Sequence, residues 1–295
     1  MTSLAPLELN AISKLVITNF PSSSSTVHLT RRNPAPLKGC YTIQPSVLPN
    51  GPPERLASTL PPPGNFELTI SLDEMIGDGR CGKVYTTSLL HLVDPSSSSL
   101  ADIINPSLPY LPSLVVKLAD QDRVDDLANE ASVYDEMESL QGVVIPRCYG
   151  WFEPEVAGRA MRSNDGSLKI SLLLFERLGG HLPIGEPLTD RETRSDIWAI
   201  FSDISRLGIH QPDMRYSNIL FAPNNSADHP STFPSLPSKP CPYHQRTHLY
   251  RIIDLDKARK TDWTLKQHYY EHVGTLGRLL ESMELMGNVL EPWEY

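Results

Sequence analysis

The chain has 295 residues, 40% of them hydrophobic, and 26 lysines and arginines stand against 35 acids for a formal charge of -9. That is enough apolar material for a sizeable core in one or two domains, and the acidic balance offers no basic field to collect nucleic acid or an anionic membrane surface. No run approaches the ~20 apolar residues of a membrane span, Met1 to Asn10 lacks the build of a signal peptide, and the cysteines at 40, 81, 148 and 241 form no Cys-x-x-Cys pair, so a reduced intracellular protein, cytoplasmic or nuclear, is expected.

Proline divides the chain. Of its 27 prolines, 21 fall in residues 1–65, 92–113 and 222–248, and such density predicts segments outside the core. The first reads as an N-terminal extension with a short strand or two at Lys14 to Thr18 and Thr26 to Thr30. The others read as solvated insertions, one holding Ser96 to Ser99 and the other Pro237-Ser-Lys-Pro-Cys-Pro242. What is left is a unit over 66–178, interrupted by the insertion 92–113, and a unit over 179–295, interrupted by 222–248.

Phe66 to Leu72 alternates as a strand and leads into Gly77-Asp-Gly79-Arg-Cys-Gly82-Lys-Val84, after which Val84 to Leu90 predicts a second strand. Three glycines in G-x-G-x-x-G let a backbone lie flat against phosphates, because no Cβ stands between the peptide N–H groups and the anion. A dinucleotide fold would open a helix at this point and a Walker loop would need Gly-Lys-Ser/Thr. Here the glycines join two strands, with Val84 two residues after the last of them. Leu114 to Leu118 then reads as a buried strand ending near Lys117, a cation that needs an anion. The apolar spacing of Val124, Leu127, Ala131, Tyr134 and Met137 predicts a helix over Val124 to Leu140 that carries Glu130.

Gly142 to Phe152 reads as a strand interrupted by Pro146, and Leu172 to Phe175 as an inner strand broken by Glu176-Arg-Leu178-Gly-Gly. Thr189 and Glu192 form a capping box for a helix whose stripe runs through Ile197, Phe201 and Ile204 to Leu207, and Gly208 stops it. That helix delivers His210-Gln-Pro-Asp213-Met-Arg215-Tyr-Ser-Asn218, with Ile219 and Leu220 anchoring the loop on a short strand. Tyr250 to Ile253 is a strand ending in Asp254, and Leu265 to Met286 reads as a helix stopped by Gly287. Cys241, His244 and His248 have spacings that suit a metal, but their Pro-Ser surroundings favour a mobile loop.

Glycine loop, strand lysine, helix glutamate, apolar strand with a Gly-Gly break, Asp-x4-Asn and strand-end Asp follow one another in an order that resembles the protein-kinase-like family. The phrases Gln141-Gly-Val-Val-Ile-Pro146 and Ile252-Ile-Asp-Leu-Asp-Lys-Ala258 are similar to the small, divergent protein-kinase-like proteins common in fungi. The resemblance covers about 66 to 285, broken by the two insertions.

It implies a two-lobed α+β fold with a β-rich N-lobe and a reduced helical C-lobe. It also implies an enzyme that binds ATP and Mg²⁺ and transfers the γ-phosphate to a hydroxyl of an unidentified acceptor, most simply protein Ser/Thr. In that reading Gly77, Gly79 and Gly82 cradle phosphates, Val84 and Phe175 line the nucleotide pocket, backbone groups near Glu176 and Leu178 meet the adenine, and Lys117 paired with Glu130 holds the α- and β-phosphates. Asp213 is the base, Arg215 offsets charge on the γ-phosphate, and Asn218 and Asp254 bind Mg²⁺. Two alternatives share these residues: an ATP-binding scaffold without transfer, and a kinase of small molecules. The sequence departs from the family in three places. His210 lies three residues before Asp213, Asp254-Leu-Asp256 stands in place of Asp-Phe-Gly, and only 39 residues follow Asp256.

Overall fold

The structure, a computed structural model, describes residues 5–20, 26–41, 48–95, 109–120, 122–155, 170–181, 191–223 and 233–285. In chain order its strands are β1 (Ile12–Ile17), β2 (Val27–Arg32), β3 (Gly39–Cys40), β4 (Phe66–Gly79), β5 (Gly82–Val93), β6 (Leu114–Ala119), β7 (Cys148–Pro154), β8 (Leu172–Glu176), β9 (Ile209–His210), β10 (Ile219–Phe221), β11 (Tyr250–Ile252) and β12 (Arg259–Thr261). The helices are α1 (Val124–Glu136), α2 (Arg191–Arg206) and α3 (Leu265–Leu285).

Seven strands close into a barrel in the order β1-β2-β7-β8-β6-β5-β4. This overturns the expected two-lobed kinase-like α+β fold with a helical C-lobe: the described residues make a mostly β protein with three helices. The reason lies in the N-terminal segment. β1 runs parallel to β4, pairing Leu15 with Leu68 and Ile17 with Ile70, while its other edge takes β2, and β2 in turn takes β7. The two strands thus bridge β4 to β7 and leave the sheet without an edge.

Residues 1–65 were expected outside the core, and here the structure differs again. Ile12, Leu15, Ile17 and Leu29 are fully buried inside the barrel beside Leu68, Ile70, Val116, Leu172 and Leu174. A proline count over 65 residues averages away two apolar strands whose alternate side chains point inward. The guanidinium of Arg31 locks this rim by donating to the carbonyls of Leu9 (3.2 Å), Ile12 (3.3 Å) and Tyr149 (2.6 Å).

Strand pleating sorts the remaining apolar residues into a second core. On β6, Leu114 and Val116 face the barrel interior, whereas Val115 faces outward with Leu173 and Phe175 of β8, and α1, α2, α3 and β11 pack over that outer face. The segment 233–248, expected to be a mobile loop, belongs to this second core. Leu236, Cys241 and His248 are buried, and the fully buried Arg251 donates to Ser238 Oγ (2.6 Å) and to the carbonyls of Gly142 (2.9 Å) and Tyr250 (2.8 Å). Thr189 of the expected capping box, the run Ser96 to Ser99 and the helix stop at Gly287 lie outside the described residues. No helix among the described residues is long and apolar enough to cross a membrane.

Candidate functional site

The candidate residues meet where the outer face of the barrel is covered by α1 and by the turns after β9 and β11. Lys117 faces outward on β6 because its neighbours Val116 and Leu118 take the alternate positions. Its ammonium lies 2.6 Å from Glu130 Oε2 on α1 and 2.6 Å from Asp254 Oδ1 after β11. Burial by itself would lower the Lys117 pKa, but the two carboxylates outweigh it and raise it above the ordinary lysine value.

The second oxygen of Glu130 accepts the backbone N–H of Leu255 at 3.2 Å, and Asn129 Nδ2 donates to the Asp256 carbonyl at 3.2 Å. α1 therefore grips the turn that carries Asp254. That turn is bent by Asp254 itself, which adopts φ +58°, a left-handed backbone that costs most non-glycine residues about 1 kcal/mol. Gln211 Nε2 caps the Asp254 carbonyl at 2.9 Å.

Asp213 is nearly buried beside this turn. Arg215 Nε donates to its Oδ1 at 2.7 Å and Lys257 Nζ to its Oδ2 at 3.3 Å. Asn218 Nδ2 donates to the Asp213 carbonyl at 3.2 Å, and Ile253 N–H donates to the Asn218 carbonyl at 3.0 Å, so the Asp-x4-Asn turn and the β11 end are stitched together. One carboxylate oxygen each from Asp213, Asp254 and Asp256 lies within 4.8 Å of the others. Lys117, Glu130, Asp213, Arg215, Asn218 and Asp254 thus share one site.

The glycine motif forms the β4–β5 hairpin. Gly82 sits at φ +146° and a Cβ there would meet the Leu118 carbonyl oxygen at 2.0 Å, so this glycine is required by the close approach of β6. Gly79 and Gly77 have room, at 3.7 Å from Gly82 O and 3.5 Å from Val84 Cβ. Between the glycines, Arg80 pairs with Asp256 Oδ2, and Cys81 Sγ lies 2.6 Å from the same oxygen. Burial and that carboxylate push the Cys81 thiol up to about 12. The hairpin tip is therefore pinned to the acidic turn.

Of the residues assigned to the nucleotide pocket, Val84 and Phe175 lie on the same outer face of the sheet as Lys117 and pack into the same core. Val84 stands opposite Lys117 in the β5–β6 register, on the same face, and Phe175 stacks on Tyr134 of α1 with centroids 4.7 Å apart. The Glu176 side chain is held in a buried ion pair: Arg147 donates to it from its backbone N (2.9 Å) and Nη1 (2.6 Å), while the Glu176 N–H goes to the Arg147 carbonyl (3.0 Å). Leu178 is buried at the end of this stretch. A cavity walled by Arg31, Tyr134, Gln141 and Trp151 contains none of the candidate residues.

Sequence reasoning missed Arg80, Asp256 and Lys257. Arg80 adjoins Gly79, Asp256 and Lys257 lie two and three residues after Asp254, and the repeated acid in Asp254-Leu-Asp256 was a visible signal. It also missed Asp203, whose place beside Cys241, His244 and His248 has no local signal at all. No protein-family model and no curated protein matches the chain.

Proposed function

We propose that this site transfers the γ-phosphate of ATP to a hydroxyl, most simply of a protein serine or threonine. One arrangement supports the reading: a buried lysine held at 2.6 Å between Glu130 and Asp254, next to an Asp-x4-Asn turn that brings Asp213 to the same acidic cluster. The resemblance to protein-kinase-like enzymes is one of site chemistry, set here on a closed barrel. Four free cysteines suit an intracellular setting.

A divalent cation fits the acidic turn on its donor chemistry. Three carboxylates converge, oxygen is the donor that Mg²⁺ takes, and Asp256 Oδ1 is buried with no hydrogen-bond partner among the described residues. Asp254 and Asn218 would hold the ion, which supplies positive charge to the β- and γ-phosphate oxygens. Lys117 orients the α- and β-phosphates from the β6 side. Asp213 accepts the acceptor hydroxyl proton at Oδ2, the oxygen that carries the longer contact, to Lys257. Arg215, fixed by Oδ1 of the same carboxylate, offsets charge on the transferred group.

The pinning of Arg80 on Asp256 favours a second reading, a nucleotide-binding scaffold without transfer, because it ties the glycine turn to the acids that transfer requires. Radiolabelled ATP with Mg²⁺, offered with a protein mixture and separately with a metabolite mixture, separates the cases. Transfer into either mixture that disappears in Asp213→Asn supports the proposal and identifies the acceptor class. Binding without transfer supports the scaffold, and neither binding nor transfer sinks both.

A further inference from the structure

Away from the acidic turn, four side chains of metal-ligating type meet between α2 and the segment that precedes β11. We propose that Asp203, Cys241, His244 and His248 form a structural zinc site. Asp203 Oδ2 lies 3.0 Å from Cys241 Sγ, 2.9 Å from His244 Nε2 and 3.2 Å from His248 Nε2, and all four ligand atoms lie within 4.8 Å of one another. Zinc bonds of about 2.0–2.3 Å at tetrahedral angles separate ligand atoms by roughly 3.3–3.7 Å, so these contacts are nearly the edges of a zinc tetrahedron.

The ligand types select the ion. A thiolate and two imidazoles are borderline-soft donors that prefer zinc to magnesium or calcium, and four protein ligands describe a closed structural site without an open catalytic position. With Cys241 and Asp203 ionised and both histidines neutral, two negative charges meet the two positive charges of Zn²⁺.

The outer contacts carry the proposal further. His248 Nδ1 lies 2.7 Å from Asp196 Oδ1, about two turns before Asp203 on the same face of α2, which makes a carboxylate–histidine relay that fixes the ring with Nε2 toward the cluster. The other Asp196 oxygen accepts the Leu249 N–H at 2.8 Å, so the relay is itself anchored. The Tyr243 N–H points at Cys241 Sγ from 3.4 Å, a contact that suits a thiolate. Gln245 adopts φ +58° and donates its N–H to the Cys241 carbonyl at 2.9 Å, the tight turn that brings His244 back over the cysteine.

A hydrogen-bonded cluster alone has no use for the cysteine. A thiol is a weak donor, yet Cys241 is fully buried here, as is His248. The segment has no helix or strand of its own between Phe233 and Leu249, and a metal gives such a segment what a periodic apolar face gives an ordinary element. His248 lies two residues before β11, whose far end presents Asp254, so the zinc would brace the strand that leads to the acidic turn.

The test uses the full chain. Metal analysis of protein purified without chelator should find about one zinc per chain. Cobalt(II) loaded into chelator-stripped wild type should give a thiolate-to-cobalt charge-transfer band with intense tetrahedral d–d bands, which the all-oxygen acidic turn cannot produce. Cys241→Ser should lose the charge-transfer band and His248→Ala most of the zinc, while Cys148→Ala should keep both. Absence of stoichiometric zinc together with absence of the cobalt thiolate band in the wild type overturns the proposal, whether or not the variants fold. A cobalt band that survives Cys241→Ser in folded protein overturns the assignment of the ligands.

Discussion

Lys117 and Glu130 meet at 2.6 Å across the interface between β6 and α1, both almost wholly buried, and the same ammonium reaches Asp254 at 2.6 Å. A cation so placed links barrel, helix and acidic turn, and its removal leaves two carboxylates facing each other in a poor solvent for charge.

Lys117→Met is therefore expected to lower stability by about 3–5 kcal/mol, the cost of leaving a buried charge without its partner. The pair Lys117→Met with Glu130→Leu should recover part of the loss, since the orphan carboxylate is gone. Urea denaturation followed by circular dichroism measures both. Nucleotide affinity should fall in each variant, and equal affinity in the wild type and the folded double variant would remove Lys117 from the proposed phosphate contacts.

Asp254 and Asp213 should fail in different ways. Asp254→Asn loses a ligand that acts on the bound ground state and weakens Mg-dependent nucleotide binding. Asp213→Asn keeps binding and loses transfer, because a base acts chiefly on the barrier. Titration of a fluorescent ATP analogue with and without Mg²⁺, beside single-turnover transfer, separates the two. Indistinguishable variants would contradict the assignment.

The two outer glycines of the hairpin turn make a sharper pair. Gly82→Ala places a Cβ 2.0 Å from the Leu118 carbonyl oxygen at a backbone angle that alanine avoids, so a loss of about 3 kcal/mol or more is expected. Gly79→Ala meets only Gly82 O at 3.7 Å and should melt within a few degrees of wild type, while lowering nucleotide affinity if its backbone approaches phosphate. A large loss of stability in Gly79→Ala would show that the turn is strained there as well.

His210, His268 and His272 should make the fold acid-sensitive. Burial lowers their pKa values to about 3, 4 and 4, with Arg259 adding to the effect on His210 and neighbouring imidazoles adding to it on His210 and His272. Above the unfolded value near 6.5 both states are neutral and the trio is silent. As pH falls from about 6.5 toward 4, the unfolded chain binds protons that the folded chain refuses, so stability drops by up to about 1.4 kcal/mol per pH unit for each such histidine. Urea midpoints between pH 7 and 4.5 should show this slope, and His268→Gln with His272→Gln should flatten it. An unchanged slope would mean that other groups dominate acid unfolding.

Excision of 233–248 with a Gly-Ser bridge should be severely destabilising. Arg147 Nη2 donates to the Pro237 carbonyl (2.7 Å) and Arg251 Nη2 to Ser238 Oγ (2.6 Å), so deletion strips partners from two buried guanidiniums and uncovers the second core. A melting temperature within a few degrees of wild type would show that this segment is a passive cover.

Local pattern determined much of the arrangement. The strands at Phe66, Val84, Leu114 and Leu172, the helices α1 to α3 and the anchoring of Asp-x4-Asn on β10 follow from periodicities of two and 3.6 and from glycine stops, all of which act between neighbours in the chain. The meeting of Lys117, Glu130, Asp213 and Asp254 could be anticipated because their residue types recur in a known order. Barrel closure could not, since it depends on β1 finding the edge of β4 some 50 residues away, and no window of sequence records which edges are free. The same holds for the occupation of Glu176 by Arg147, for Arg80 on Asp256, and for Asp203 facing a loop about 40 residues later. Such contacts are decided by which buried charge must find a partner once the chain has collapsed, and only the tertiary structure says who is near.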